Sequence, residues 1–403
     1  MAYWSLAEAA ARAEERPFAG SYADAVDELE TRLRRAVRMQ SVADVPVGAF
    51  LSGGIDSSTV VALMQEAPGA RVTTFSIGMP DQRMDESAHA AAVARHLGTE
   101  HVAHAIQPAE ALALIPQLPG IWDEPFGDSS QLPTLLVSRL ARQRVTVALS
   151  GDGGDELFLG YPEYRVMERL WRLRRLRHLP WNAGLRAAAV LGGPWLQRPL
   201  RGARIVVGAW RQPDVLRMND WWMDPYNDDA VPLRQQVSAR ALQRPLRRSP
   251  AEAAAVADAA AYLPDDILVK VDRAAMSCGL ETRAPLLDHH VVEFALSLPL
   301  GYKLRGNQGK SVLREVLYRR VPRSLVDRPK MGFSIPLQHW LRRELRPWAE
   351  QLLATIPADS HLLDKPELER MWQSHLSGGR NRTDQLWPVL MLAAWSAEHG
   401  VAL

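Results

Sequence analysis

Apolar residues in the first part of the chain show helix-type spacing in some stretches and short continuous runs, typical of buried strands, in others. Residues 22–40 space their apolar side chains three or four apart, which is typical of an amphipathic helix. Short apolar runs predict strands near 48–51, 72–77, 101–106 and 145–149, and the stretches between them predict helices near 57–64, 86–97 and 132–143. Strands that alternate with helices predict an α/β fold, a parallel sheet with helices on both faces.

The pattern changes after residue 164. Residues 165–248 contain 17 arginines, six acidic residues and six of the 13 tryptophans, and their periodicity is weak. Basic segments with aromatic residues bind nucleic acid in some proteins, but no nucleic-acid motif accompanies this one. We therefore predict a basic helical insertion with core tryptophans. The predicted organisation is a linker and helix at 1–43, an α/β core at 44–164, the insertion at 165–248 and a mostly helical part at 249–403.

Composition narrows the class of protein. The chain has 403 residues, 47% hydrophobic and 23% charged, with a net charge of +2, which excludes a disordered or collagen-like chain. Cys278 is the only cysteine, so an intrachain disulfide is excluded and a reducing cytoplasm is expected. No apolar run is long enough to span a membrane. Only five of the 48 basic residues are lysines, which an arginine-favouring genome would explain.

A glycine-rich turn lies between the first predicted strand and the next helix. Gly53 and Gly54 let the backbone turn tightly, and the N–H groups at the start of a helix favour an anion. Hydroxyl groups on Ser52, Ser57 and Ser58 add hydrogen-bond donors. The turn therefore predicts a phosphate-binding loop, and the alternative is an ordinary capped turn.

Carboxylates accompany this loop and a second one like it. Asp56 would repel a phosphate unless a cation lay between them, and Mg²⁺ is the natural choice. The second loop, residues 150–156, follows the strand near 145–149 and contains three carboxylates among three glycines. Because parallel strands end at the same edge of a sheet, Asp155 is expected to share the cation with Asp56. A surface turn is the alternative for the second loop.

The blocks that surround these loops resemble a known family. Together they are similar to the synthetase domain of the glutamine-dependent asparagine synthetases, which belong to the ATP pyrophosphatases. The resemblance covers residues 40–340 in family order and implies their nucleotide-hydrolase-like fold, with ATP and Mg²⁺ as cofactors. Its blocks are Val45–Leu51, Ser52–Ser58, Ser76–Gly78 with Asp85 and Glu86, Asp123–Phe126, Ser150–Glu156, Asp272 with Arg273, Glu281–Asp288 and Lys330–Phe333.

The resemblance implies a role for each matching residue. The ATP phosphates would be held by Ser52, Gly53, Gly54, Ser57 and Ser58, the nucleoside region would be bordered by Leu51, Ile77, Ser150 and Gly151, and Mg²⁺ would be bound by Asp56 and Asp155. Lys330 would neutralise charge at the α-phosphate, and Asp152, where the family has Glu or Asp, would take a proton from the amine. Arg283 and Asp288 would shape the acceptor pocket, with an ion pair as the alternative.

Two further features bear on the expected chemistry. The segment Gly306–Ser311 hints at a Walker loop, but Leu304 stands where that motif needs glycine. Its Lys310 is expected to reach a phosphate or the acceptor, or else to lie at the surface. Leu159 stands where the family usually has glycine, which puts the local loop shape in doubt.

The expected activity is an ATP-dependent amide-forming ligase that releases AMP and pyrophosphate, with aspartate to asparagine as the first choice. Ala2 follows Met1 here, whereas the full-length family begins with a glutaminase domain and its N-terminal cysteine. We therefore expect either an excised synthetase portion or a stand-alone ligase that receives ammonia, another amine or the product of a separate glutaminase. The oligomeric state is left open, with a homo-oligomer as one option. The alternatives are a ligase or macrocyclase for natural products or sugars, and a non-catalytic nucleotide-binding module. Sulfur insertion into RNA is disfavoured by the single cysteine.

Overall fold

One parallel sheet of five strands organises the fold. The structure is a computed structural model that describes residues 3–67, 71–78, 85–178, 197–224, 248–328 and 335–403. The strands are β1 (Val47–Phe50), β2 (Thr73–Gly78), β3 (Glu100–Ala105), β4 (Val147–Leu149) and β5 (Glu281–Arg283). Their spatial order is β3-β2-β1-β4-β5, and every neighbouring pair is parallel.

Helices connect and cover the strands. They are α1 (Leu6–Glu15), α2 (Tyr22–Gln40), α3 (Ile55–Gln65), α4 (Ser87–Leu97), α5 (Pro108–Leu114), α6 (Gln131–Arg142), α7 (Gly154–Phe158), α8 (Pro162–Leu173), α9 (Gln197–Arg211), α10 (Val215–Met223), α11 (Pro250–Ala260), α12 (Val269–Met276), α13 (His289–Ser297), α14 (Leu300–Lys303), α15 (Ser311–Tyr318), α16 (Arg323–Val326), α17 (Leu337–Arg342), α18 (Arg346–Thr355), α19 (Lys365–Leu376) and α20 (Thr383–His399). Short 3₁₀ turns span Ile115–Gly120, Arg174–His178 and Pro285–Leu287, and a π-helix spans Leu263–Leu268. No helix in the described ranges combines the length and apolarity that a membrane span requires.

The two faces of the sheet pack into separate hydrophobic cores. Along β4, Val147 and Leu149 belong to the core that includes α2, α3, α13 and α15, whereas Ala148 belongs to the core that includes α6 and α17–α20. This alternation is expected because neighbouring side chains of a strand point to opposite faces. The predicted α/β class, a parallel sheet with helices on both faces, is confirmed.

Local sequence determines both the start of helix α2 and the face that it buries. It begins after Ser21, whose side chain accepts a hydrogen bond from the N–H of Asp24, while the Asp24 carboxylate accepts one from the N–H of Ser21. This reciprocal capping box satisfies N–H groups that a helix start leaves unpaired. The helix spans Tyr22–Gln40 and buries the six apolar residues that its spacing predicted.

The basic segment contributes a third, smaller core. Trp210 is buried there, and Trp171, Trp221 and Trp222 pack partly buried against the same cluster of α8–α11. The tryptophans described in this segment therefore act as core residues, as predicted. Trp181 and Trp195 lie outside the described residues.

The strand order creates a switch point between β1 and β4. From β1 the chain adds β2 and then β3 on one side, and it later places β4 on the other side of β1. Ligands of open α/β sheets bind outside the carboxyl ends of strands at such a point. The loops after β1 and β4 therefore lie side by side at one edge of the sheet.

Candidate active site

A cavity of about 1050 Å³ opens at this edge. Both loops line it, together with residues from β2, α6, α8, α12 and the chain near residue 310. The sequence-predicted residues in its wall are Leu51, Ser52, Gly54, Asp56, Ser57, Ile77, Ser150, Gly151, Asp152, Asp155 and Lys310. The fold thus brings together side chains from distant parts of the sequence around one space.

Two of the residues predicted to hold the phosphates, Ser58 and Gly53, do not line the cavity and pack against the protein interior instead. Ser58 is fully buried and is not part of the cavity wall. Gly53 has φ 74°, and a Cβ atom on it would lie 2.8 Å from the backbone nitrogen of Ala90. The positive φ and this close approach to α4 both require glycine at position 53.

Arg283 and Asp288 are not among the described residues that line the cavity, so their role in the acceptor pocket stays a prediction. Arg283 instead donates hydrogen bonds from one terminal nitrogen to the carbonyl oxygens of Gln40 (2.8 Å) and Val42 (2.9 Å). Asp288 accepts a hydrogen bond from the backbone N–H of His290 (2.9 Å) and caps α13. Both side chains therefore satisfy backbone groups at the ends of helices.

Lys330 lies outside the described residues, so its position stays a prediction. The last described residue before it, Arg328, donates a hydrogen bond to the carbonyl oxygen of Ser52 (3.2 Å) and pairs with Glu86 (2.7 Å). A guanidinium group therefore adjoins the first loop from the sequence neighbourhood of Lys330.

The two loops touch through their backbones. A Cβ atom on Gly151 would lie 2.6 Å from the backbone nitrogen of Ser57. Within the first loop, the Ser57 hydroxyl oxygen accepts a hydrogen bond from the N–H of Ser52 (3.2 Å), and the Ser52 hydroxyl oxygen accepts one from Gly54 (3.2 Å). Gly54 is the N-cap of α3 and offers no side chain to cap it. The arrangement therefore suits an anion at the start of α3.

Asp56 and Asp155 meet at the ammonium group of Lys310. The Lys310 Nζ atom contacts Asp56 Oδ2 and lies 2.7 Å from Asp155 Oδ1. Burial alone would lower the pKa of Lys310, but the charges of Asp56 and Asp155 outweigh burial and raise that pKa. Lys310 is therefore a buried cation between two carboxylates. From the sequence, Lys310 was expected to reach a phosphate or the acceptor, or else to lie at the surface. The ion pair with Asp56 and Asp155 was not predicted.

The same residues fit a divalent cation. A Cβ atom on Gly154 would collide with the Asp56 carboxylate, and one on Gly160 would collide with that of Asp155, so both glycines leave a cradle around the oxygen atoms. Within the described ranges, no three His, Cys, Asp or Glu side chains are grouped to hold a metal. Mg²⁺ is usually bound by one or two carboxylates together with substrate phosphates. Asp56 and Asp155 match that arrangement.

Asp152 occupies the centre of the second loop. Its carboxylate accepts a hydrogen bond from the Ser150 hydroxyl (2.7 Å), and it lines the cavity. Burial raises the pKa of Asp152 above its ordinary value, although the Ser150 hydrogen bond opposes the shift. A carboxylate whose affinity for a proton is raised in this way is suited to proton transfer.

Sequence reasoning missed a second polar group in the cavity wall. The Lys270 Nζ atom lies 2.6 Å from Asp128 Oδ2 and 4.0 Å from Asp266 Oδ1. Burial raises the pKa of Asp266 to about 7, and the charge of Asp128 adds to that shift. Asp266 belongs to the π-helix Leu263–Leu268, and Tyr262, just before that helix, and Ile267, within it, line the cavity. Such π-turns are frequent at functional sites.

The signals for this group in the sequence were weak. The sequence favours a structural role for Lys270, which precedes Val271–Arg273 on a predicted helix. Asp128 accepts a hydrogen bond from the N–H of Ser130 (2.8 Å), the local pattern of an ordinary turn. The residues of the pair are 142 positions apart, so only the fold joins them.

Comparison with known proteins decides the family. The model of the asparagine synthase family matches residues 28–397. A Mycobacterium tuberculosis protein provisionally named as a glutamine-hydrolysing asparagine synthetase is 34% identical over 393 residues, which cover 93% of this chain and 58% of that protein. Asparagine synthetase [glutamine-hydrolyzing] 1 of Bacillus subtilis is 30% identical and covers 92% of this chain and 59% of its own length.

The chain belongs to the asparagine synthase family. It spans somewhat less than three fifths of the length of these two curated relatives. A more distant relative is Amidase chyE of Penicillium rubens, which is 25% identical over 384 residues and covers 85% of this chain and 57% of that protein. The family resemblance seen in the sequence is thereby confirmed.

Leu159 stands where the family resemblance implies glycine. It has φ 59°, in the left-handed region, and it is buried at the C-cap of α7. Glycine adopts this conformation without strain, whereas an L-residue there costs about 1–2 kcal/mol. The loop therefore keeps a glycine-like backbone, and the buried Leu159 side chain offsets part of the strain by packing in the third core.

Proposed function

We propose that the protein is an ATP-dependent ligase that adenylates a carboxylate and transfers the acyl group to ammonia or an amine. The observation that carries the proposal is the meeting of Asp56 and Asp155 at the switch point, beside an uncapped helix start, in a member of the asparagine synthase family. ATP needs donors for its phosphates and a counter-cation, and this edge of the sheet offers both.

The cavity has distinct walls for the parts of ATP. The phosphates would lie at the start of α3, where Ser52 and Ser57 present hydroxyl groups and Gly54 leaves the backbone accessible. The nucleoside would lie against the apolar side chains of Leu51 and Ile77, which line the same cavity. Asp56 and Asp155 would hold a Mg²⁺ ion, whose positive charge would neutralise part of the negative charge of the phosphates.

The proposed reaction has two steps. The acceptor carboxylate forms an O–P bond to the α-phosphorus and the bond to pyrophosphate breaks. An amine then forms a C–N bond to the acyl carbon, AMP leaves with the acyl oxygen, and the surplus amine proton passes to the Asp152 carboxylate. Fixed positive charge and positioning dominate in such phosphoryl chemistry. By family resemblance, Lys330 supplies positive charge at the α-phosphate.

The cavity wall around Lys270 is the proposed acceptor end. The buried lysine can bind a carboxylate of the acceptor, and the carboxylate of Asp128, which lines the same wall, can bind an ammonium group. An amino acid carries both kinds of group that this wall recognises, so aspartate is the first acceptor to test. Ammonia would come from solution or from a separate glutaminase, since the named relatives are glutamine-hydrolysing.

The test is isotope exchange between labelled pyrophosphate and ATP in the presence of single carboxylic acids. Adenylation alone supports exchange, so the acceptor can be found before its amine is known. Exchange that depends on one acid, and amide formation when an amine is then added, supports the proposal. Absence of exchange with every acid in a broad panel, with ATP still binding, would favour a nucleotide-binding module without catalysis.

A second candidate is a ligase of this mechanism for a larger acceptor. Arg165, at the start of the basic segment, lines the cavity and donates a hydrogen bond to the carbonyl oxygen of Asn307. The cavity therefore reaches the segment that would meet a bulky substrate, and the amidase-named relative fits this option. The same exchange panel separates the candidates when it includes natural-product acids and amino sugars. A cytoplasmic location remains the proposal for either candidate.

A further inference from the structure

The position of Lys310 has a consequence for how the metal site is filled. Its ammonium group contacts Asp56 and lies 2.7 Å from Asp155, and the side chain is 8% exposed. These are the two carboxylates that the proposed function assigns to Mg²⁺. The ammonium group and a divalent cation would therefore compete for the same oxygen atoms.

The backbone around Lys310 is built to hold the lysine there. Lys310 has φ 60°, in the left-handed region, and its N–H donates a hydrogen bond to the carbonyl oxygen of Phe158 (2.7 Å). A Cβ atom on Gly309 would collide with the carbonyl oxygen of Leu159, and one on Gly160 would collide with the Lys310 side chain itself. Gly160 thus makes room for the Lys310 side chain, and Gly309 lets the backbone before Lys310 approach that of Leu159, which argues against an adventitious contact.

The charges give the lysine a physical role when no ligand is bound. Asp56 lies in the first turn of α3 and Asp155 in the first turn of α7, and like charges brought together at a largely buried site repel each other. One ammonium group removes most of that repulsion and keeps the loops in place. It leaves the three residues with a net charge of −1, which attracts a divalent cation less strongly than two uncompensated carboxylates would.

We propose that Lys310 is a placeholder cation that keeps the metal site closed to divalent cations until a nucleotide binds. The inference rests on the proposed function, because it takes the Asp56 and Asp155 site as the metal site of an ATP-using enzyme. Phosphates bring negative charge that draws the ammonium group away, and they supply the ligands that two carboxylates lack. The metal and the nucleotide therefore enter together.

The experiment is a titration of the full chain with Mn²⁺ as the probe, without nucleotide, followed by electron paramagnetic resonance of the free ion. We expect the Lys310→Met variant to bind one Mn²⁺ at least tenfold more tightly than the wild type. The double variant Lys310→Met/Asp155→Asn should lose that gain. Equal Mn²⁺ affinity of the wild type and Lys310→Met would overturn the proposal.

A matched control separates this role from general loss of a buried lysine. Lys303 is also buried and ion-paired, with its Nζ atom 2.7 Å from Glu252 Oε1, and it is not part of the cavity wall. Lys303→Met should gain no Mn²⁺ affinity. If Lys310→Met unfolds easily, thermal unfolding provides the second measurement. Mn²⁺ should then raise the melting temperature of Lys310→Met and leave the melting temperature of Lys303→Met unchanged. If Mn²⁺ does not raise the melting temperature of Lys310→Met, the proposal is also overturned.

The outcome is distinguishable from failure of the proposed function. The titration contains no acceptor and no nucleotide, so a gain of Mn²⁺ affinity in Lys310→Met supports the placeholder even in a protein that forms no amide. Conversely, an active ligase whose wild type binds Mn²⁺ as tightly without nucleotide as Lys310→Met does would overturn the placeholder alone.

Discussion

A Cβ atom on Gly151 would lie 2.6 Å from the backbone nitrogen of Ser57, so the loops after β1 and β4 are in direct backbone contact. Each loop alone has the features of a common turn. Their contact places the uncapped start of α3 and the carboxylates of the second loop around the same space, and the proposed catalysis depends on that placement.

Gly151→Ala should therefore separate the loops. Because a misplacement of about 1 Å can cost roughly 100-fold in rate, we expect pyrophosphate formation to fall about 100-fold while the fold persists. Rate assays and thermal unfolding measure the two effects. Gly301→Ala is the control, since a Cβ atom there meets nothing within 4 Å. A Gly151→Ala enzyme with normal rates would show that the loop contact is dispensable.

Asp152→Asn should block the second step more than the first. Without a carboxylate, the amine proton has no acceptor, and we expect amide formation to fall by roughly 10²–10⁴ while pyrophosphate exchange continues. Burial raises the pKa of Asp152, so the carboxylate is protonated at a higher pH than an ordinary aspartate. We therefore expect the wild-type rate of amide formation to begin falling at a correspondingly higher pH. Asp152→Glu, which the family resemblance allows at this position, should retain the activity. Equal losses of exchange and amide formation in Asp152→Asn would contradict the role.

Lys330→Arg should abolish most adenylation although the charge is kept. A compact ammonium group suits a phosphorus under attack, whereas the planar guanidinium group does not occupy the same space. We expect pyrophosphate exchange to fall at least about 100-fold, by analogy with the loss of one preorganised donor. Lys365→Arg, outside the cavity wall, is the control. Near-normal exchange in Lys330→Arg would make this lysine incidental.

His375 should make the fold sensitive to acid. It is fully buried, and burial lowers its pKa to about 4, with the charge of Arg342 adding to the shift. Above pH 6.5 the His375 side chain is neutral in both the folded and the unfolded chain. Between pH 6.5 and 4 the unfolded chain takes up the proton first, so stability falls with pH by up to about 3 kcal/mol, and below about pH 4 the loss is complete.

His375→Asn should flatten that pH dependence, measured as the free energy of unfolding in denaturant between pH 4 and 7. The asparagine side chain can keep the hydrogen bond that the Nδ1 atom of His375 accepts from the N–H of Arg382 (3.1 Å). His361→Asn, at an exposed position, should leave the pH dependence as in the wild type. An unchanged slope in His375→Asn would assign the acid sensitivity to other groups.

Much of this fold could be predicted because its elements are local. The spacing of apolar residues predicted helix 22–40 with the bounds that the structure shows, and four of the five strands were found within two residues. Strand β5 was not predicted, because three residues are too few to reveal a period of two. Its partner β4 lies more than 130 positions earlier, so the pairing is invisible in local sequence.

Site residues could be predicted where they belong to a local sequence motif. They could not be predicted where only the fold brings distant residues together. The loop residues were identified from glycines, hydroxyls and carboxylates close together in sequence. The contact of Lys310 with Asp56 spans 254 positions, and that of Lys270 with Asp128 spans 142. Arg283 was expected at the acceptor because of its motif, but β5 directs its side chain to carbonyl groups after α2.

The most direct test of the account is the identity of the nucleotide products. The protein would be incubated with ATP, Mg²⁺, aspartate and ammonium, and the phosphorus products would be followed by ³¹P nuclear magnetic resonance. The account predicts AMP and pyrophosphate in equal amounts, formed only when an acceptor acid is present and in step with the amide. Formation of ADP and phosphate, or ATP cleavage that needs no acid, would contradict it.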